Sequence, residues 1–252
     1  MRHLILPVSL LAASTACGQK PQAPAHDHGS HGSHAPAPTV EHGADDVMSG
    51  GHGAHATATH RAHLRLSPAR PGTAADTARA REILTTLRLA VSPYADTAAA
   101  VADGYRMFAP GVKQRVYHFT KGRHAVRNEF GFDAARPTSL LYERGADGRL
   151  RLAGAMYTAP RRSKPEDLDA RVPLSIAQWH LHTNVCVPGR SERERWRERR
   201  GGQMVFGPAG AVATKADCDA VGGKFHEEVL NWMVHVDVRK GDDVAGAFGE
   251  RH

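Results

Sequence analysis

Histidines at alternate positions in two segments of the chain are the residues whose spacing could support chemistry. His180 and His182 lie two positions apart, and His235 lies two positions before Asp237. Side chains two residues apart on a β-strand project from the same face, so each pair would present its polar groups together. A third histidine, His118, lies between two aromatic residues in another segment with strand-like alternation.

We expect the strands that carry these residues to be neighbours in one sheet or barrel. The predicted site then consists of His118, His180, His182 and His235, with a carboxylate from Asp237 or Glu143. Three histidines, or two with a carboxylate, suit zinc, copper or non-haem iron. The sequence therefore predicts a transition-metal site, with copper or zinc preferred over iron.

Two other interpretations remain open for the same histidines. The first is a metal-dependent enzyme resembling a cupin, with H-x-H on one strand and a further histidine about fifty residues later around an open-sided ion. Asn184 and Cys186 occupy the region where such a site would carry a glutamate. The second is a binding or structural module of the cell envelope, in which each polar face is the wet side of an antiparallel sheet.

Helices followed by strands must position these side chains. The capping pattern that starts at Thr73 and the apolar spacing after it predict a helix ending near Val91, and a second short helix ends at Gly104. Strands are predicted over 115–119, 138–144, 149–158, 175–182 and 232–238, with a hairpin turn at Asp147-Gly148. The predicted fold class is α+β, with two N-terminal helices packed on a mostly antiparallel sheet.

Several motifs of the first half of this domain resemble those of an uncharacterised family of exported bacterial proteins. They are A-D-G-Y at 102–105, Y-H at 117–118, R-P-x-x-L-L-Y-E at 136–143 and R-L-x-G-x-x-Y-x-x-P at 151–160. The resemblance covers most of residues 74–160, and the W-H-L-H and M-V-H-V segments resemble a subset of the same family. It implies export and assigns no activity, so any chemistry has to be inferred from the spacing of the residues.

The N-terminus has the three parts of a secretory signal. Residues 1–16 contain a basic start, an apolar run too short to span a bilayer, and small residues directly before Cys17. This arrangement resembles the bacterial lipobox, although Ser14 stands where leucine is commonest. The resemblance implies that Cys17 is lipidated, and Gly18 after it implies an outer-membrane anchor facing the periplasm.

The segment between the lipid and the domain, residues 17–73, is rich in Gly, Ala and His and is predicted to be a disordered linker. It contains nine histidines. Six of them form short repeats that would capture metal weakly: His26, His28, His31, His34, His52 and His55. The alternative is a solubilising linker whose histidines bind nothing. The folded domain is predicted over residues 74–252.

The cysteines indicate the compartment in which the protein works, and the net charge bears on its possible partners. Of the three cysteines, lipidation of Cys17 leaves Cys186 and Cys218, which we expect to form a disulfide in an oxidising compartment, although Cys186 could instead be a metal ligand. The net charge of +7 would suggest nucleic acid in a cytosolic protein. Export argues against that partner and leaves the membrane, through the lipid, and metal ions as the expected ones.

Lipidation of Cys17 is directly testable. Cells grown with labelled palmitate should label the wild-type protein, and Cys17→Ala should remove the label because the thioether can no longer form. Ser14→Ala is the matched control, since it changes a neighbouring small residue and keeps the thiol. Equal labelling of wild type and Cys17→Ala would refute lipidation at this residue.

Overall fold

A computed structural model of the chain describes residues 61–110 and 114–249. The predicted signal peptide, Cys17 and the six tail histidines of the predicted weak metal-capturing repeats lie outside these ranges. Within them, no helix combines the length and the apolar character that crossing a bilayer would require.

Six α-helices lie within the described ranges. They are α1 (Ala74–Val91), α2 (Thr97–Ala102), α3 (Gly122–Asn128), α4 (Pro165–Arg171), α5 (Lys215–Ala220) and α6 (Val244–Phe248). Thr73 caps α1 in a reciprocal capping box with Asp76, as its sequence predicts. A 3-10 turn at Ser92–Tyr94 connects α1 to α2, so both predicted N-terminal helices are confirmed.

Seven strands form one antiparallel sheet. They are β1 (Leu64–Leu66), β2 (Arg106–Met107), β3 (Val116–Thr120), β4 (Ser139–Arg144), β5 (Leu150–Ala159), β6 (His180–Val187) and β9 (Lys224–Asp237). Their order across the sheet is β1-β6-β9-β5-β4-β3-β2, and a separate hairpin pairs β7 (Arg199–Arg200) with β8 (Gln203–Met204). The predicted α+β class with an antiparallel sheet is confirmed.

One face of the sheet packs against the helices and forms the main core. Leu84 and Leu87 of α1 are buried together with Tyr142, Tyr157 and Trp179 from the sheet side. These large side chains alternate along their strands with the residues of the opposite face, as period-two patterning requires. The helices therefore seal one face, and the other remains available for a site.

Part of the predicted linker belongs to the folded domain. Residues 61–73, predicted as part of the linker, include β1, which pairs with β6. The His63 side chain is fully buried, and its Nε2 donates a hydrogen bond to the carbonyl oxygen of Gly210 over 2.8 Å. The predicted boundary at Ala74 is therefore too late, because a three-residue edge strand gives too short a pattern to recognise.

Two predicted strands have different bounds in the structure. β6 begins at His180 rather than Ser175, and β9 begins at Lys224 rather than Trp232. The first half of β9 is polar and lacks apolar alternation, so its pairing with β6 rather than its own composition makes it a strand. This pairing places β6 beside β9 along most of their lengths.

The predicted disulfide between Cys186 and Cys218 is present. It joins β6 to α5 inside a second small core that includes Phe206. Because both sulfur atoms are used in this bond, Cys186 is no longer a candidate metal ligand.

A glycine in β5 sets how closely β5 approaches β9. A Cβ added at Gly154 would overlap the carbonyl oxygen of Val236 and stand 3.1 Å from its carbonyl carbon. Gly154→Ala should therefore lower the free energy of unfolding by about 2 to 3 kcal/mol, as overpacking commonly does. Gly131→Ala, where an added Cβ meets nothing within 4 Å, is the matched control. Equal denaturation midpoints for the two variants would contradict this account of the β5–β9 contact.

Candidate functional site

The face of the sheet opposite α1 contains a cavity of about 430 Å³. Four histidines line it: His118, His180, His182 and His235. All four belong to the predicted site, and the fold brings them to one cavity.

Alternation along three strands directs these histidines into the cavity. On β6 the two histidines alternate with Trp179 and Leu181, which are buried in the helix-covered core. The histidines of β3 and β9 also alternate with residues of that core. His118 and His182 are each 8% exposed and His180 is 3% exposed, whereas His235 is half-buried. The imidazoles thus lie below the surface, within reach of the cavity.

The four rings form a continuous series. The ring centres of His118 and His235 are 5.5 Å apart, and those of His235 and His180 are 5.1 Å apart. His182 continues the series at 5.6 Å from His180. At these distances no other side chain fits between one ring and the next.

The contact between His118 and His235 requires a strongly curled sheet. Their strands are three positions apart in the order β9-β5-β4-β3. Strand spacing of about 4.8 Å would place such residues roughly 14 Å apart in a flat sheet. The observed ring separation of 5.5 Å shows that the histidines lie on the concave side of the curl.

An irregularity in the β6–β9 ladder borders the same cavity. His180 pairs with Met233 and His182 pairs with Val229, so β9 has extra residues between these two pairs. Within this bulge Leu230 adopts a φ of 62°, a left-handed conformation that is uncommon for a branched side chain. Leu230 also lines the cavity. The bulge therefore shapes the wall of the cavity beside the two β6 histidines.

The two predicted carboxylate ligands do not join the histidines. Glu143 and Asp237 both bind the guanidinium of Arg239, at 2.7 Å and 2.8 Å respectively, and neither lines the cavity. Burial raises the pKa of Asp237, but hydrogen bonds from the Arg239 side chain and backbone outweigh burial and lower that pKa below its usual value. Arg239 lies only two positions beyond Asp237, and a carboxylate neutralised by it is a poor ligand.

The spacing between neighbouring imidazoles of the series is close to the spacing of two imidazoles on one metal ion. A metal–nitrogen bond of about 2 Å, extended to the ring centre, puts two imidazole centres on a tetrahedral ion roughly 5 Å apart. The three observed separations, 5.1, 5.5 and 5.6 Å, are close to this value.

The donor atoms themselves are not gathered around one point. In the present side-chain conformations, no group of three or more His, Cys, Asp or Glu among residues 61–110 and 114–249 could hold a metal ion. Metal capture would therefore require the donor atoms to move closer together, for example by rotation about side-chain bonds.

Sequence reasoning did not include several residues that share the cavity. Met156 and Met233 line it, as do the hydroxyl-bearing Thr138 and Thr158, whose Oγ1 atoms are 2.8 Å apart. Met233 could have been included, because it lies two positions before His235 on the same face of β9. The threonines gave no such signal, because only long-range strand pairing brings them to the site.

Comparison with protein-family models, with curated proteins and with solved structures finds no match for this chain. Any functional proposal therefore rests on the geometry of the cavity.

The role assigned to Asp237 can be tested through the pH dependence of stability. Because its folded-state pKa is lowered, its ion pair stabilises the fold above the unfolded-state pKa, and this contribution disappears as pH falls through the folded-state pKa. Asp237→Asn should therefore lower the free energy of unfolding at pH 7, by no more than about 1 kcal/mol for such a solvent-screened pair. The difference from wild type should shrink steadily below about pH 4.

Urea denaturation at several pH values measures this difference. Asp242→Asn removes an exposed carboxylate nearby and serves as the control. A difference for Asp237→Asn that stays constant down to pH 2 would contradict a role based on its charge.

Proposed function

We propose that this protein binds a transition-metal ion in the four-histidine cavity. The observation that carries the proposal is the convergence of His118, His180, His182 and His235, from three different strands, on one concave surface. Imidazole nitrogen is a preferred ligand of zinc, copper and other ions of the late first transition row.

Burial of the histidines supports a binding role over a solvated sheet face. The three most buried imidazoles are each at least nine-tenths removed from water. On the wet side of an ordinary antiparallel sheet such rings would remain open to water.

The location that we propose is the cell envelope, with Cys17 as the lipid anchor and the His-rich tail as a weak collector of ions. The buried disulfide between Cys186 and Cys218 is consistent with an oxidising compartment. A tail tethered at the membrane would raise the local concentration of ions near the cavity, while the strand-borne histidines would hold one ion in order.

A metal-dependent enzyme is the second candidate, and the size of the cavity favours it. A volume of about 430 Å³ falls in the range that holds a small organic molecule and greatly exceeds that of a single ion. In this case three histidines would hold the ion and the remaining space would receive a substrate. Both candidates share the same metal centre, so the first experiment addresses that centre.

The metal centre is tested in the mature chain with its eight histidines between positions 26 and 60 changed to serine. His63 stays in place, because its burial makes it part of the fold. After dialysis against zinc or copper, elemental analysis should find close to one ion per chain. Single changes to alanine at His118, His180, His182 and His235 should each weaken retention at least about tenfold, since even residues that only support metal ligands matter this much.

His226→Ala is the matched control, because His226 lies on β9 but outside the cavity. A tail-substituted protein that retains no ion, and whose melting temperature is unaffected by added zinc or copper, would refute the proposed centre.

A further inference from the structure

Resting on the proposed metal centre, we propose that the cavity is selective for copper, and for Cu(I) in particular, because two methionine thioethers stand beside the histidines. The sulfur atoms of Met156 and Met233 would complete the donor set that the imidazoles begin. This assignment names the ion, which the histidines alone leave undecided between zinc and copper.

Strand register brings each methionine next to a histidine. Met156 of β5 is the direct partner of His235 of β9, and Met233 of β9 is the direct partner of His180 of β6. Directly opposed residues of antiparallel strands share a face, with Cβ atoms about 5 Å apart. Both methionines also line the cavity, at 7% and 6% exposure. A flexible thioether at this distance can therefore approach an ion held by its neighbouring imidazole.

The chemistry of this donor set separates copper from its competitors. Thioether sulfur is a soft ligand that selects Cu(I), whereas biological zinc sites use thiolate, imidazole and carboxylate. Among the described residues that line the cavity there is no Asp or Glu. Hard ions such as Ca²⁺ and Mg²⁺, which need several anionic or carbonyl oxygens, are correspondingly disfavoured.

The rest of the wall combines apolar side chains with Arg161, Asn231 and three threonines, and both its apolar part and the positive charge of Arg161 favour a singly charged ion over a divalent one. Leu64, Phe108 and Leu230 line the cavity together with the two methionines. The cost of moving an ion from water into such surroundings rises steeply with its charge, so Cu(I) is penalised much less than a divalent ion.

A packing role for the methionines makes a different prediction. Both belong to a small buried cluster with Val116 and Leu141, where an apolar side chain of similar volume would serve as well. Leucine in place of methionine preserves volume and apolarity and removes only the sulfur. The substitution Met→Leu therefore distinguishes ligation from packing.

The test compares wild type with Met156→Leu, Met233→Leu and the double variant, all in the mature chain with the serine-substituted tail. Cu(I) affinity is measured by competition with a chromogenic chelator under reducing, anaerobic conditions, and zinc affinity by competition with a second chelator. The double variant should lose at least about tenfold in Cu(I) affinity, as ligand-sphere changes do. Its zinc affinity should remain within about twofold, because zinc would use the imidazoles alone.

Met204→Leu is the matched control, because Met204 is buried in β8 outside the cavity and should leave both affinities unchanged. X-ray absorption of the copper-loaded wild type gives a readout that needs no variant, and it should show sulfur among the nearest neighbours of copper. Sulfur absent from that shell, or unchanged Cu(I) affinity in a folded double variant, would overturn the copper assignment. If zinc then still bound, the metal centre would stand; if the wild type bound neither ion, both proposals would fall.

Discussion

Burial of alternate side chains against α1 is the constraint on which the rest of this structure depends. Trp179, directly before β6, and Leu181 of β6 enter the helix-covered core, and this places His180 and His182 on the opposite face. A shift of one residue in the register would expose a tryptophan and bury two imidazoles among apolar side chains. The hydrophobic effect therefore orients the histidines, although none of them belongs to that core.

The orientation of the histidine side chains alone does not bring their rings together, because the sheet must also be curved. The sheet has to bend so that β3 approaches β9 across two intervening strands. Gly154 of β5 allows close contact with the backbone of β9, and the bulge at Leu230 changes the pairing beside the cavity. Bulges and glycines are the usual means by which a sheet bends. They lie here in the strands that separate or carry the histidines.

The face on which each histidine lies could be predicted from the sequence because alternation is a local property. Each of His118, His180 and His235 could be assigned to a face from its immediate neighbours, and all three reach the cavity. Asp237 was assigned to the same face by the same rule, yet Arg239 binds its carboxylate away from the histidines. The prediction failed there because pairing between charged groups depends on side-chain reach, which period-two alternation does not describe.

The predicted boundaries along the chain were wrong for a related reason. The start of β9 has no apolar period of its own, and β1 is only three residues long, so both owe their conformation to partners far along the chain. Placing the imidazoles on paired strands fixes their backbone before any ion arrives, so binding would cost only the rotation of side chains. If the same histidines lay on a loop, ion binding would also have to order the loop backbone, which costs conformational entropy. This difference is the physical reason why we propose the ordered site for the sheet and only weak capture for the tail.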